Sequence, residues 1–218
     1  VHKPIIKTVS IENTHLASGG SIVSFDSIKS LSKIVRKHDL KLHIDGARIW
    51  HAIQEDKNMN YGDYCDSLTF CFSKALGAPI GSMLLGSEEF IREAREFRKK
   101  LGGGMRQVGV IASMARTALQ SREIILEDHA KAKKVYEFLN TNLNNEKIES
   151  IVYKGTNMIF LNISSEEDPN KLLDIFYNES INAGLIGEKS IRLVFHKDIV
   201  PTDIDVICDK LVHSSSKF

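Results

Sequence analysis

Two charged side chains, Asp45 and Lys74, each follow a short stretch of the sequence that is typical of a buried strand. Residues 41–44 and 68–72 carry the apolar side chains expected of strands inside an α/β sheet. Asp45 and Lys74 would then lie at the carboxyl ends of two strands. In open α/β sheets, ligands bind outside these carboxyl ends. The spacing therefore allows this acid and this lysine to face one ligand.

Pyridoxal 5'-phosphate (PLP) chemistry requires such a pair. A lysine amine forms a Schiff base with the cofactor aldehyde, and a carboxylate pairs with the protonated pyridine nitrogen, which keeps the ring an electron sink. Aspartate and lysine are also common at strand ends as ordinary solvated charges. The spacing alone leaves both interpretations open.

Two arginines are placed where they could hold a carboxylate. Arg48 follows Asp45 by three residues at the predicted start of a short helix, so both side chains could face one pocket. A local Asp–Arg ion pair explains that spacing equally well. Arg192 lies between Ile191 and Leu193 in a predicted strand and points to the opposite face. Its planar fork would bind a substrate carboxylate with two hydrogen bonds, or form an ion pair with a helix.

Alternating strand and helix patterns surround these residues and predict an α/β fold. A strand at 5–11, a helix at 24–38 and the strand at 41–44 form a β-α-β unit and hence a parallel sheet. After a change of domain near Glu123, strands at 158–163 and 191–195 alternate with helices at 170–182 and 202–212. This second part is predicted to be a small α/β domain, with Ser214–Ser216 as a frayed tail.

Composition excludes several classes of function. The net charge of +1 over 218 residues gives no electrostatic basis for nucleic-acid or anionic-membrane binding. The longest apolar runs are far shorter than a membrane span. Three scattered cysteines, Cys65, Cys71 and Cys208, do not form a disulfide framework. We therefore expect a cytoplasmic protein. No cluster of metal-ligating residues is evident, although the sequence leaves a bound monovalent cation or calcium ion open.

Five blocks of the sequence together resemble the low-specificity L-threonine (allo-threonine) aldolases, which are fold-type-I PLP enzymes. The blocks are ENTH at 12–15, HIDGAR at 43–48, FSKALGAPIGS at 72–82, GGGMRQ at 102–107 and IRLVFHK at 191–197. They occur in the order found in that family, so the resemblance covers nearly the whole chain. It is far more specific than any single motif.

The resemblance implies roles for the charged residues. Lys74 would form the Schiff base, and Asp45 would pair with the pyridine nitrogen. Arg48 and Arg192 would orient the substrate by its carboxylate. The resemblance also places His2 near the substrate, although a residue so close to the chain end is expected to be frayed.

Further cofactor contacts follow from the same resemblance, with Arg48 among them. Ser73 could donate its hydroxyl to the phosphate, although a turn-capping serine would look the same. Asn13 could reach the ring oxygen, although an Asx turn is the simpler interpretation. Arg106, after three glycines, would reach the cofactor of a neighbouring subunit. A homodimer or homotetramer with active sites at the subunit interface is therefore expected.

The implied reaction is cleavage of L-threonine or L-allo-threonine to glycine and acetaldehyde. Residues 1–123 would be the carboxyl-side part of the large PLP-binding domain, and 124–218 the small carboxyl-terminal domain. In that family the phosphate loop and a ring-stacking histidine precede the point corresponding to Val1. We therefore expect this chain alone to bind PLP weakly and to show little aldolase activity. The alternatives are a fold-type-I β-eliminating lyase and an inactive fragment of an aldolase.

Overall fold

The computed structural model describes residues 4–218, which divide into two compact units. The first unit holds the chain up to Thr14 together with Ile22–Arg122. The second holds His15–Ser21 and Glu123–Phe218. The chain thus passes from the first unit to the second and back between Thr14 and Ile22, before it enters the second unit again at Glu123.

The first unit is built on a four-stranded sheet. Its strands β1 to β4 lie in sequence order, with β1, β2 and β3 parallel and β4 antiparallel to β3. The strands are β1 (Thr8–Glu12), β2 (Lys41–Asp45), β3 (Ser67–Cys71) and β4 (Ser82–Gly86). The helices are α1 (Phe25–Lys37), α2 (Ile49–Glu55), α3 (Glu88–Lys100) and α4 (Gly109–Gln120). The parallel β1-α1-β2 unit predicted from the sequence is confirmed.

Helix α1 shows why this unit folds locally as predicted. Ser24 caps its amino end, because the Ser24 Oγ accepts a hydrogen bond from Ser27 N at 3.2 Å. Ile28 and Val35, two turns apart, are buried on the face that packs toward the sheet, where α1 contacts β2. The helix therefore returns the chain beside β1, and β2 pairs with β1 in parallel.

The second unit contains a wholly antiparallel sheet of four strands in the order β5-β6-β8-β7. The strands are β5 (Ile148–Tyr153), β6 (Met158–Ile163), β7 (Gly184–Ile186) and β8 (Ser190–Val194). The helices α5 (Ile125–Asn142), α6 (Pro169–Asn178) and α7 (Ile204–Lys217) supply the rest of its apolar core. Alternate residues of β6 and β8 point into that core: Ile159, Leu161, Ile163, Ile191 and Leu193.

The carboxyl end differs from the predicted frayed tail. Helix α7 continues through Lys217, and Ser214 and Ser215 are buried. Asn145 Nδ2 donates a hydrogen bond to the backbone oxygen of Ser215 at 2.5 Å, and Phe218 packs against the core. A polar serine run carries no sequence signal for burial, so this packing was not predicted. None of the helices within residues 4–218 is long and apolar enough to cross a membrane.

A buried ion pair lies in the second unit. Lys131 Nζ lies 2.9 Å from Asp128 Oδ1, and the two side chains are 5% and 0% exposed. The same ammonium donates a hydrogen bond to His196 O at 3.2 Å. Burial raises the pKa of the Asp128 carboxyl, and the hydrogen bond from Lys131 opposes that rise. The pair therefore connects α5 to the segment that follows β8.

Replacing Lys131 by methionine is expected to lower the free energy of unfolding by about 3–5 kcal/mol, because it leaves a buried carboxylate without its partner. Urea titration measures the loss, with Lys133→Met, an exposed lysine in the same helix, as the matched control. A carboxyl with a raised pKa in the folded state favours folding at low pH, and this contribution is lost as the pH rises through that pKa. The deficit of Lys131→Met should therefore grow with pH. A loss no larger than that of the control would contradict the assignment.

Candidate active site

Asp45 occupies the last position of β2, on the edge where parallel strands end. Leu42 and Ile44 anchor the strand in the core, whereas Asp45 itself is exposed. Its Oδ1 accepts a hydrogen bond from Ala47 N at 3.1 Å, and its backbone oxygen accepts one from Asn13 N at 2.9 Å. The carboxylate is thus held by one backbone donor while its side chain stays open to solvent.

Gly46, directly after Asp45, is required by a close crossing of two backbones. Its N–H donates to Thr69 O at 2.8 Å, and a Cβ on Gly46 would lie 2.6 Å from that same oxygen. A larger residue would have to push β2 and β3 apart at their carboxyl ends. The position of the Asp45 carboxylate therefore depends on this glycine.

Lys74 follows β3 in a tight turn. The turn is closed by hydrogen bonds from Ala78 N to Phe72 O (2.9 Å), from Gly77 N to Lys74 O (2.8 Å) and from Phe72 N to Gly81 O (2.9 Å). Lys74 is exposed, and its ammonium has no hydrogen-bond or ion-pair partner among residues 4–218. A rigid backbone with an uncommitted amine suits covalent attachment to an aldehyde.

Asp45 and Lys74 are brought to the same edge of the sheet. Strands β2 and β3 are parallel neighbours, with Asp45 in register with Thr69, five residues before Lys74. Ser73, the predicted phosphate contact, is exposed beside Lys74. The two chemical groups that PLP needs, an amine for its aldehyde and a carboxylate for its ring nitrogen, are therefore both present at this edge.

Arg48 is half-buried at the amino end of α2, which begins at Ile49. The φ of Arg48, −126°, is not helical, so Arg48 is the N-cap residue that precedes the first turn of α2. Asp45 and Arg48 were predicted to lie one helical turn apart, but neither residue lies within the helix. The three-residue spacing arises from a turn in which Ile49 N donates to Gly46 O at 2.8 Å.

Asn13 is fully buried, and both atoms of its amide are engaged within the first unit. The Asn13 Oδ1 accepts from Val23 N at 3.1 Å, and the Nδ2 donates to the Tyr61 hydroxyl at 3.3 Å. The oxygen thus bonds ten residues along the chain, which differs from an Asx turn. Burial raises the pKa of Tyr61, so this hydroxyl remains protonated. The predicted contact of Asn13 with the cofactor ring stays a prediction.

Arg106 lies in the exposed loop between α3 and α4. Two of the three preceding glycines use their N–H groups to end α3: Gly102 N donates to Lys99 O at 3.2 Å, and Gly103 N to Arg98 O at 2.8 Å. These two donors are therefore committed to the helix end and do not point at an anion. Arg106 itself remains available at the surface.

Arg192, in the second unit, has an unsatisfied polar atom. Ile191 and Leu193 point into the core, and Arg192 points to the other face, as the alternation predicted. Its Nε is buried and has no hydrogen-bond partner among the described residues. A buried guanidinium nitrogen without an acceptor is costly, and a ligand carboxylate would satisfy it. His2, the other predicted substrate contact, lies outside the described residues.

Several polar residues that the fold buries have no distinguishing pattern in the sequence. Thr156 and Asn157 lie in the turn between β5 and β6 and are almost fully enclosed. Thr156 Oγ1 donates to Gly20 O at 3.0 Å, and Asn157 Nδ2 donates to Phe195 O at 2.8 Å. In the sequence these residues look like an ordinary polar turn. No group of three or more potential metal ligands occurs within residues 4–218.

Comparison with known proteins identifies a family and several relatives. A family model described as beta-eliminating lyase matches residues 1–164. The chain is 36% identical over 210 residues to the low-specificity L-threonine aldolase of Candida albicans, covering 94% of this chain and 53% of that protein. It is 35% identical over 207 residues to the low specificity L-threonine aldolase of Escherichia coli K12, covering 91% and 57%. The chain thus spans a little over half the length of these relatives.

Solved structures show the same fold. Threonine aldolase from Leishmania major superposes with a TM-score of 0.77 at 17% identity, covering 96% of this chain and 61% of that one. The histidinol-phosphate aminotransferase of Clostridium acetobutylicum superposes with a TM-score of 0.70 at 15% identity, covering 97% and 65%. The predicted α/β architecture of fold-type-I PLP enzymes is therefore confirmed.

Proposed function

Because the chain belongs to the beta-eliminating lyase family, we propose that it serves PLP-dependent retro-aldol cleavage of L-threonine and L-allo-threonine to glycine and acetaldehyde. The observation that carries this proposal is the placement of Asp45 and Lys74 at the carboxyl ends of two parallel neighbouring strands. Relatives that bear the name low-specificity L-threonine aldolase match over more than nine-tenths of the chain.

In this proposal the residues that hold the cofactor have separate roles. PLP, when bound, supplies the electron sink that accepts the pair from the breaking Cα–Cβ bond. The Lys74 amine would hold the cofactor by its aldehyde, and the Asp45 carboxylate would accept a hydrogen bond from the ring nitrogen and favour its protonated form. Ser73 and Arg106 contribute to the phosphate site. These roles use side chains that are exposed in the first unit.

In this proposal two arginines orient the substrate. Arg192 and Arg48 would bind the substrate carboxylate and so orient the bond that breaks. A base removes the β-hydroxyl proton, the bond breaks, acetaldehyde leaves, and Cα takes up a proton to give glycine. Weak contacts with the β-substituent would leave threonine and allo-threonine poorly distinguished, since only a site built around that hydroxyl rejects an isomer strongly.

The second candidate is β-elimination, which the description of the matching family favours. Both reactions use the same lysine and aspartate but differ in the bond that breaks. Retro-aldol cleavage gives glycine and an aldehyde, whereas β-elimination gives ammonia and a keto acid. Product analysis therefore separates the two reactions without any structural assumption.

The test uses the 218-residue chain. It is titrated with PLP and then incubated with L-allo-threonine. Equimolar glycine and acetaldehyde would support the proposal. Ammonia and a keto acid would favour β-elimination instead, and a chain that binds no PLP would overturn both.

Changing Arg192 to glutamine should raise the KM for L-allo-threonine roughly a hundredfold. Two charge-assisted hydrogen bonds to the substrate carboxylate would be lost, each worth about 1.5–3 kcal/mol before partial replacement by water. Arg192→Lys should recover only part of this, because a point charge lacks the planar fork. Steady-state kinetics checks this in the active protein, with exposed Lys171→Gln as the control. An unchanged KM for Arg192→Gln would contradict the role in substrate binding and would favour a structural ion pair instead.

The assembly we propose is a homodimer or homotetramer in the cytoplasm, with active sites at the subunit interface. The loop that carries Arg106 supports it, because large apolar side chains are exposed on and beside this loop: Leu101 (84%), Met105 (62%) and Val110 (61%). Such a cluster is expected to be covered by a second copy of the chain. Sedimentation equilibrium of the protein distinguishes these states from a monomer.

A further inference from the structure

Gly184 is a strand residue of the second unit whose lack of a side chain needs an explanation. It begins β7, the edge strand of the antiparallel sheet, and pairs with Arg192 of β8. Glycine weakens a strand, because it loses more conformational freedom on folding than other residues and has no side chain to pack. The usual reasons for a glycine in a strand are a special backbone angle, a bulge, crowding by another segment, or the close approach of a ligand.

The first three reasons do not apply to Gly184. Its backbone does not adopt the left-handed conformation that favours glycine. The residues of β7 pair with consecutive residues of β8, so no bulge occurs at this position. A Cβ on Gly184 would lie no closer than 3.8 Å to any atom of another described segment, which is an ordinary contact distance. The fold therefore accepts a side chain at this position without strain.

The atom that a Cβ on Gly184 would contact is Nη2 of the Arg192 guanidinium. This nitrogen lies 3.8 Å from the Cβ position, and no other atom of the described segments, the chain neighbours of Gly184 aside, lies within 4 Å. Paired residues of neighbouring strands point to the same face of a sheet, so a side chain larger than that of alanine would place further atoms beside the guanidinium. The glycine therefore leaves this side of Arg192 bare.

The other neighbours of Arg192 leave its guanidinium without an acceptor. Phe160 of β6 pairs with Arg192 on the side opposite β7 and is 4% exposed. Ser190, two residues along β8 on the same face, donates its hydroxyl to Asn162 Oδ1 at 2.8 Å. Arg192 has no hydrogen-bond or ion-pair partner among residues 4–218, and its Nε is buried. The side next to Gly184 is therefore open to an acceptor supplied by a ligand.

We propose that Gly184 controls the access of a small carboxylate to Arg192. The Nε–H and one Nη2–H point the same way along one edge of a guanidinium, so a single carboxylate can accept from both. The identity of this carboxylate, that of the amino-acid substrate, rests on the proposed function. Access to the guanidinium is a property of the second unit alone and can be tested without PLP.

The test compares Gly184→Val and Gly184→Ala with the parent chain, all free of cofactor. Phenylglyoxal modifies arginines, and peptide mass analysis gives its rate at Arg192 and, as the internal control, at the exposed Arg106. Acetate, compared with chloride at the same ionic strength, should protect Arg192 in the parent chain. In Gly184→Val the acetate concentration for half-protection is expected to rise about tenfold, as for the loss of one charge-assisted hydrogen bond. Gly184→Ala should show a smaller rise.

Urea titration checks the fold of the variants. Valine favours a strand, so Gly184→Val should be at least as stable as the parent chain. A less stable variant would mean that the backbone needs this glycine and would overturn the proposal. So would equal half-protection in Gly184→Val and the parent chain, or acetate protection no greater than that by chloride. Failure of the proposed function appears separately, as a chain that binds no PLP although acetate still protects Arg192.

Discussion

Replacing Lys74 by alanine is expected to abolish both covalent cofactor binding and aldol cleavage. The turn after β3 holds Lys74 on a rigid backbone, and its amine has no competing partner within residues 4–218. A reacting group held in place acts at an effective concentration on the order of 10⁵ M or more, so its loss should lower turnover by a factor on the order of 10⁴ or greater. The visible absorbance band of bound PLP should disappear as well.

Borohydride reduction followed by peptide mass analysis locates the attached cofactor. In the unmodified protein the label should be on Lys74 at a stoichiometry near one. Lys33→Ala removes an exposed lysine of α1 in the same unit and should change neither label nor turnover. If Lys74→Ala keeps saturable label on another lysine and retains activity, Lys74 is not the cofactor lysine.

Changing Asp45 to asparagine is expected to leave PLP binding largely intact while turnover falls by roughly a hundred- to a thousandfold. Asparagine retains an oxygen that can accept from Ala47 N, so the variant removes mainly the negative charge. Without that charge, the pKa of the ring nitrogen falls. One pKa unit corresponds to about 1.4 kcal/mol, and a loss of two to three units felt in the transition state gives the stated rate effect.

Two measurements check this expectation: kcat with L-allo-threonine, and the pH dependence of the absorbance of bound PLP. Asp66→Asn is the matched control, because Asp66 lies at the opposite edge of the same sheet, where its carboxylate accepts from Leu42 N at 2.8 Å. It should leave both measurements unchanged. A near-normal kcat for Asp45→Asn would refute the role of Asp45 at the ring nitrogen.

Elements with local signals can be predicted from the amino-acid sequence alone. The apolar spacing of Ile28 and Val35 set the buried face of α1, and the alternation around Arg192 set which side chains of β8 enter the core. The Asp45 and Lys74 motifs lie at strand ends for the same reason, since buried strands end where polar residues begin. Such patterns depend on neighbours within a few residues, so they are visible in the spacing of apolar residues along the sequence.

The burial of polar side chains, in contrast, depends on contacts between distant segments. Asn13, Thr156 and Lys131 are polar residue types usually found at the surface, yet each is buried and bonds to a backbone group of another segment. Residues 15–21 belong to the second unit although the residues on both sides belong to the first. Whether a polar group is buried depends on which distant segment covers it and supplies its hydrogen-bond partner. That partner lies many residues away, so no local pattern of the sequence encodes it.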